Sequence, residues 1–189
     1  VIGVIDYGAG NLRSVANALD RLDLRFKVCE RPDQVEEVER IILPGVGHFG
    51  AAARAMAATR TDDAIRGAAG AGKPLLGICL GMQLLLEASD EAPGVPGLGL
   101  LPGRNVRLDA ARVPHMGWNL VRWDKRAGHC YFAHSYVAVP RPEHVVATAE
   151  LDGREIPAAI GTGQTLGVQF HPEKSGDRGL ALIEEFCRC

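Results

Sequence analysis

Short apolar runs alternate with segments of helical period through the first half of the chain. Val1 to Asp6 reads Val-Ile-Gly-Val-Ile-Asp, a short run apolar on both faces, which predicts a buried strand. From Asn11 onward Leu12, Val15, Leu19 and Leu22 form the stripe of an amphipathic helix, with Asn11 placed as its N-cap. Arg25 to Cys29 predicts a second strand, Pro32 to Glu39 a charged helix, and Arg40 to Leu43 a third strand. An Ala-rich helix from about Phe49 to Ala69 and a fourth strand from Pro74 to Cys79 follow. Strands and helices alternating at this interval make βαβ units. The expected fold class is therefore α/β, a three-layer, open, mixed but mainly parallel sheet with helices on both faces.

The pattern changes at Ser89. Between Ser89 and Gly103 lies Pro93-Gly94-Val95-Pro96-Gly97-Leu98-Gly99, which breaks any helix begun after Cys79 and predicts a loop rather than a domain boundary. Beyond it, Asn105 to Leu108, Asn119 to Trp123, Tyr131 to Val139 and Val145 to Ala149 predict strands. Their separators are too short for parallel crossovers, so this region is expected to be antiparallel. A last strand, Thr165 to Phe170, leads into His171-Pro172-Glu173 and a closing helix near Arg178 to Phe186. The 189 residues suit one domain, 1–189, around one core.

Composition narrows the class. With 47% hydrophobic and 23% charged residues, the chain has the balance of a folded globular protein. A net charge of −2 and a pI near 6.3 leave no basic footprint for nucleic acid. No apolar run approaches the roughly 20 residues that cross a bilayer, so no membrane partner is expected. The start lacks the basic flank and cleavage site of a leader, and its missing methionine leaves a trimmed terminus open. The five cysteines are odd in number and scattered, which points to reduced thiols and a cytoplasmic setting. Cys187-Arg188-Cys189 matches no metal-site spacing and reads as incidental.

The strongest chemical signal is Gly77-Ile78-Cys79-Leu80-Gly81, set between a buried strand and a helix beginning near Met82. It is the cysteine form of the Gly-x-Ser-x-Gly nucleophile elbow, in which a tight, strained turn leaves no room for side chains two positions to either side. A helix N-terminus favours thiolate over thiol, and the Leu80 N–H is the natural first donor of an oxyanion hole. Taken alone, a buried structural cysteine explains the motif equally well. His171 follows a strand and so projects from its carboxyl end, where open α/β sheets bind ligands. Pro172 disfavours the helical region at His171, and an extended chain would put His171 and Glu173 on one face, the carboxylate orienting the imidazole. In isolation His-Pro-Glu is more often a turn; together with the elbow it reads as base and orienter.

Pro44-Gly45-Val46-Gly47-His48-Phe49-Gly50 follows a strand and opens a helix, so Gly47 could supply a second oxyanion donor or a substrate contact. Its spacing fits neither phosphate-binding glycine loop. His48, His115, His129 and His144 read as loop or half-buried residues, and no cluster has zinc spacing, so no metal or cofactor is expected. His134-Ser135-Tyr136 either satisfies core hydrogen bonds or lines the pocket.

In this order, the glycine loop, Gly-x-Cys-x-Gly-x-Gln (through Gln83) and His-Pro-Glu resemble the triad glutamine amidotransferases over essentially the whole chain. Asp6-Tyr7-Gly8-Ala9-Gly10-Asn11-Leu12 and Gln169-Phe170-His171-Pro172-Glu173-Lys174-Ser175 resemble, within that family, the glutaminase subunits of imidazole glycerol phosphate synthases. The resemblance implies that Cys79 attacks the glutamine carboxamide, that His171 protonates departing ammonia, and that water hydrolyses the thioester. It implies that Gln83, Gly47 and the His134, Ser135 and Tyr136 backbone hold glutamine's α-amino and α-carboxylate groups. It also implies a heterodimer with a barrel-shaped cyclase subunit. Ammonia would pass into that partner and join a phosphoribulosyl intermediate of histidine biosynthesis. Asn11, Met116, Gly117, Trp118, Asn119 and Lys174 would lie toward it. Two other readings remain open, a glutaminase serving anthranilate or pyridoxal phosphate production, and a binding module that keeps the fold without catalysis.

Overall fold

The computed structural model describes residues 1–8, 11–124 and 126–188. Ala9 and Gly10 of the N-terminal motif and Cys189 of the terminal Cys-Arg-Cys lie outside the described residues. In chain order the elements are β1 (Ile2–Ile5), α1 (Leu12–Arg21), β2 (Phe26–Cys29), α2 (Pro32–Glu36), β3 (Arg40–Leu43), α3 (Phe49–Thr59), α4 (Thr61–Gly70), β4 (Leu75–Ile78) and α5 (Leu80–Leu84). The second half adds β5 (Ala88–Ser89), β6 (Gly103–Arg107), β7 (His115–Trp123), β8 (Arg126–His134), β9 (Tyr136–Pro140), β10 (Val145–Leu151), β11 (Arg154–Thr162), β12 (Thr165–Val168) and α6 (Gly176–Arg188).

Nine strands form one sheet in the order β2-β1-β3-β4-β12-β11-β10-β7-β8, and β5-β6-β9 form a second. The first five strands of the large sheet run parallel; from β12 through β11, β10, β7 and β8 each pairing is antiparallel. Neighbouring apolar residues on a strand point to opposite faces. Ile41 and Leu43 accordingly enter one cluster with Phe49, Met56 and Ile65, while Ile42 enters another with Val15, Leu19 and Ile183. Both faces of the parallel half are thus covered by helices, as its unbroken apolar strands predict. Among the described residues no helix is long and apolar enough to cross a membrane.

Four local expectations are corrected. The Ala-rich helix is two helices, because Arg60 takes a left-handed conformation (φ 59°) that ends α3 and begins α4. The charged helix stops at Glu36, short of Glu39. The run from Tyr131 to Val139 is two strands, since the chain leaves the large sheet after His134 and joins the small one at Tyr136. Strand β11 was not anticipated. It contains Pro157, which lies beyond the last residue paired to β12, where its missing N–H breaks no bond of that ladder.

Candidate active site

Strands β4 and β12 are parallel neighbours, with Gly77 opposite Gly167 and Ile78 opposite Val168. Their carboxyl ends therefore lie side by side, and the residues that follow, Cys79 and Gln169-Phe170-His171, converge. The Cys79 N–H donates to Val168 O at 2.8 Å, tying the elbow to β12. Cys79 itself sits at φ 54°, ψ −107° ahead of α5, a region that costs a non-glycine residue about 1–3 kcal/mol. The glycines around it are steric necessities. A Cβ on Gly77 would stand 2.7 Å from Gly81 O, and one on Gly81 only 1.8 Å from Leu43 O.

His171 is buried, and its Nδ1 pairs with Glu173 Oε1 at 2.8 Å. His171 is extended, as a residue before proline should be, but Pro172–Lys174 then closes into a 3-10 turn. Glu173 thus reaches the imidazole by turning back, which corrects the expectation of an extended His-Pro-Glu. Burial alone would lower the His171 pKa; hydrogen bonding with Cys79 and Glu173, and their negative charge, overcome it and raise it from 6.5 to about 9. With Nδ1 on the carboxylate, Nε2 is the nitrogen left for the thiol.

Asn11 stands at the N-cap position of α1, yet its side chain makes no capping bond. Its Nδ2 instead donates to Glu173 Oε1 at 2.7 Å, so the orienting carboxylate is itself held by a residue 162 positions away. The Tyr7 hydroxyl similarly donates to Pro44 O at 3.1 Å, fixing the entry to the glycine loop.

A cleft of about 310 Å³ opens above Cys79. It brings together the predicted Gly47, Leu80, Gln83 and His171, the His134, Ser135 and Tyr136 segment, and Met116 and Lys174. Glu173 sits behind His171, its side chain fully buried. Gly47 has φ +99°, within the region that favours glycine. The Leu80 N–H, expected to face an oxyanion, is occupied by Gly45 O at a long 3.4 Å. Of the residues expected toward a partner, Met116 and Trp118 share the outer face of β7 at 64% and 57% exposure. Asn119 lies on the opposite face of that strand and donates inward to Glu150 O at 2.8 Å.

Glu91, in the Pro- and Gly-rich loop, was missed. It lines the cleft and accepts from the Phe49 N–H at the start of α3 at 2.7 Å. A carboxylate following a turn serine carries no distinguishing sequence signal.

His115 and His134 were also underread. His134 Nδ1 donates to Tyr136 O (2.8 Å), so its neutral Nε2 accepts from His115 Nδ1 (2.9 Å), leaving His115 Nε2 to accept from Asn119 Nδ2 (3.3 Å). Burial drives the His134 pKa from 6.5 down to about 4 and lowers His115 too. Between those values the unfolded chain binds a proton at position 134 that the fold refuses, so stability falls as pH drops. His171, raised above 6.5, binds its proton in both states below that value and adds no slope there. His134 should thus remove about 2 kcal/mol between pH 7 and pH 5. Denaturant titrations at the two pH values should show a smaller loss in His134→Gln than in the wild type; equal losses would refute this account.

The family model of glutamine amidotransferase class-I matches residues 3–188. Imidazole glycerol phosphate synthase subunit HisH of Bacillus licheniformis is 45% identical over 202 residues, covering 98% of this chain and 95% of that protein. The HisH subunit of Moorella thermoacetica is 46% identical over 195 residues, covering 98% and 93%. A crystal structure of a glutamine amidotransferase superposes with a TM-score of 0.83 at 24% identity over 100% of both chains. PurLQS from Thermotoga maritima gives 0.78 at 21% identity over 98% and 96%; at these identities the structures speak to the fold alone. The chain belongs to the class-I glutamine amidotransferase family.

Proposed function

We propose that this chain is the glutaminase subunit of an imidazole glycerol phosphate synthase, one catalytic domain that hydrolyses glutamine and passes ammonia to a cyclase subunit in a heterodimer. The observation that carries the chemistry is the convergence of Cys79, His171 and Glu173 beneath one cleft. The Cys79 thiolate attacks the carboxamide carbon, His171 gives its proton to departing ammonia, and the same imidazole then deprotonates the water that cleaves the thioester to glutamate. Leu80 and Gly47 N–H groups serve the oxyanion, for which the long Leu80 to Gly45 bond must yield.

Both Gln83 N–H groups are engaged inward, on Tyr136 O and Gln169 Oε1. The atom Gln83 can offer substrate is its Oε1, an acceptor for the α-amino group, and Glu91 adds a carboxylate for the same charge. Exposed Met116 and Trp118 beside Lys174 form the partner face. We place the chain in the cytoplasm, which the free thiols of Cys29, Cys79, Cys130 and Cys187 support.

The shared name of the relatives favours the histidine-pathway partner over an anthranilate or pyridoxal phosphate synthase. The test is glutamine hydrolysis by the chain alone, with a histidine-pathway cyclase, and with cyclase plus its substrate. Turnover is expected to be weakest alone and greatest in the third arm. Equal rates in all three, or activation only by another synthase, would overturn the partner assignment.

A further inference from the structure

The mechanism above leaves one buried polar side chain at the nucleophile without a role. Gln169 is fully buried, follows β12 directly, and places its Nε2 3.7 Å from Cys79 Sγ. Which end of that amide faces the sulphur is settled by its neighbours. The Tyr136 carbonyl can only accept, so the Gln83 atom 3.0 Å from it is the Nε2 donor. That same Nε2 lies 3.1 Å from the Gln169 side chain, so the Gln169 atom facing it is Oε1. The remaining atom, an NH₂ group, is the one turned to Cys79. A backbone carbonyl thereby sets the polarity of two buried amides in series, and a hydrogen-bond donor is locked against the reacting atom.

The two protonation states of the sulphur use different partners. As a thiol it can donate to Ala133 O at 3.8 Å; as a thiolate it loses that bond and can only accept. His171 supplies one donor, but it surrenders its proton to the leaving ammonia during the reaction. An amide N–H does not titrate and stays in place throughout.

We propose that Gln169 is a further catalytic residue, donating its Nε2–H to the Cys79 thiolate, with Gln83 acting through it as a positioning residue. This rests on the glutaminase reading and adds a second, permanent donor to the sulphur. The donor favours the thiolate both before attack and when the thioester breaks and the sulphur leaves again.

The test uses the full chain as wild type, Gln169→Met and Gln169→Glu. Methionine removes the donor at similar volume. Glutamate is isosteric, still accepts from Gln83 and so preserves the packing, but turns an acceptor toward the sulphur. The readout is the rate of Cys79 alkylation by iodoacetamide against pH, followed by mass spectrometry on the Cys79 peptide. The pH midpoint is expected to rise by about one unit in Gln169→Met, and further in Gln169→Glu. A residue that merely packs would alter rates without ordering the midpoints this way. Unmoved midpoints in both variants would overturn the proposal. If Cys79→Ala still loses glutamine turnover in that case, the glutaminase reading stands and only the Gln169 role fails; retained turnover would sink the reading itself.

Discussion

Cys79→Ala should abolish glutamine hydrolysis while the cyclase complex continues to turn over with added ammonium. The size of the loss follows from the role. Without the sulphur no thioester forms, and what remains is whatever binding and the oxyanion donors accelerate with water alone. Removing a nucleophile of this kind costs about four or more orders of magnitude in kcat. The fold should tolerate the change. Alanine meets the same strain at φ 54° as cysteine, and the lost Sγ contacts, 3.8 Å to Ala133 O and 3.7 Å from Gln169 Nε2, are weak ones. The ammonium arm makes the experiment decisive, since an unfolded or detached subunit and an inert but docked one differ there. Glutamine turnover surviving in Cys79→Ala would show that another residue attacks.

Gly81→Ala is expected to have the largest effect on stability. The new Cβ would stand 1.8 Å from the Leu43 carbonyl oxygen and 2.9 Å from its carbon, contacts with backbone rather than with a side chain that can swing away. Strand β3 cannot retreat easily, being hydrogen-bonded to β1 on one side and β4 on the other. The remaining option is to lift α5 and the elbow away from β3, which opens packing in the cluster containing Leu43, Leu80 and Met82. Overpacking against fixed backbone of this severity costs about 3 kcal/mol or more, a fall in Tm of roughly 10 °C for a chain of this size. Gly67→Ala is the matched control. Gly67 lies within α4, and a Cβ there meets nothing within 4 Å, so alanine should raise stability by up to about 1 kcal/mol. Thermal unfolding of the two variants beside the wild type checks both signs; a Gly81→Ala protein as stable as Gly67→Ala would refute the steric account.

These two residues also show what kind of information a linear sequence carries. The need for glycine at 77 and 81 is created by a turn spanning five residues, so Gly-x-Cys-x-Gly records it locally. The same holds for the apolar runs of β1, β3 and β4 and for the stripe of α1, whose periods are properties of contiguous chain. The break at Arg60 is local too, yet no glycine or proline marks it; an arginine in the left-handed region is held there by the packing of α3 and α4 rather than by its own preference. Pro157 misled in the opposite sense, because whether a proline interrupts a strand depends on which edge of the ladder it meets.

By itself, then, the sequence determined the α/β class, the parallel half of the sheet and the candidacy of Cys79, His171 and Glu173, since short-range sterics and periodicity are written in neighbouring residues. Tertiary structure alone decided who touches whom across the sheet. Asn11 leaving its cap for Glu173, Glu91 entering the cleft, His115 pairing with His134, and Gln169 turning its N–H to Cys79 all depend on strand order. The physical reason is that a hydrogen bond between residues 86 or 162 positions apart has no local signature. It exists only because β12 folds back beside β4 and brings the two carboxyl ends together.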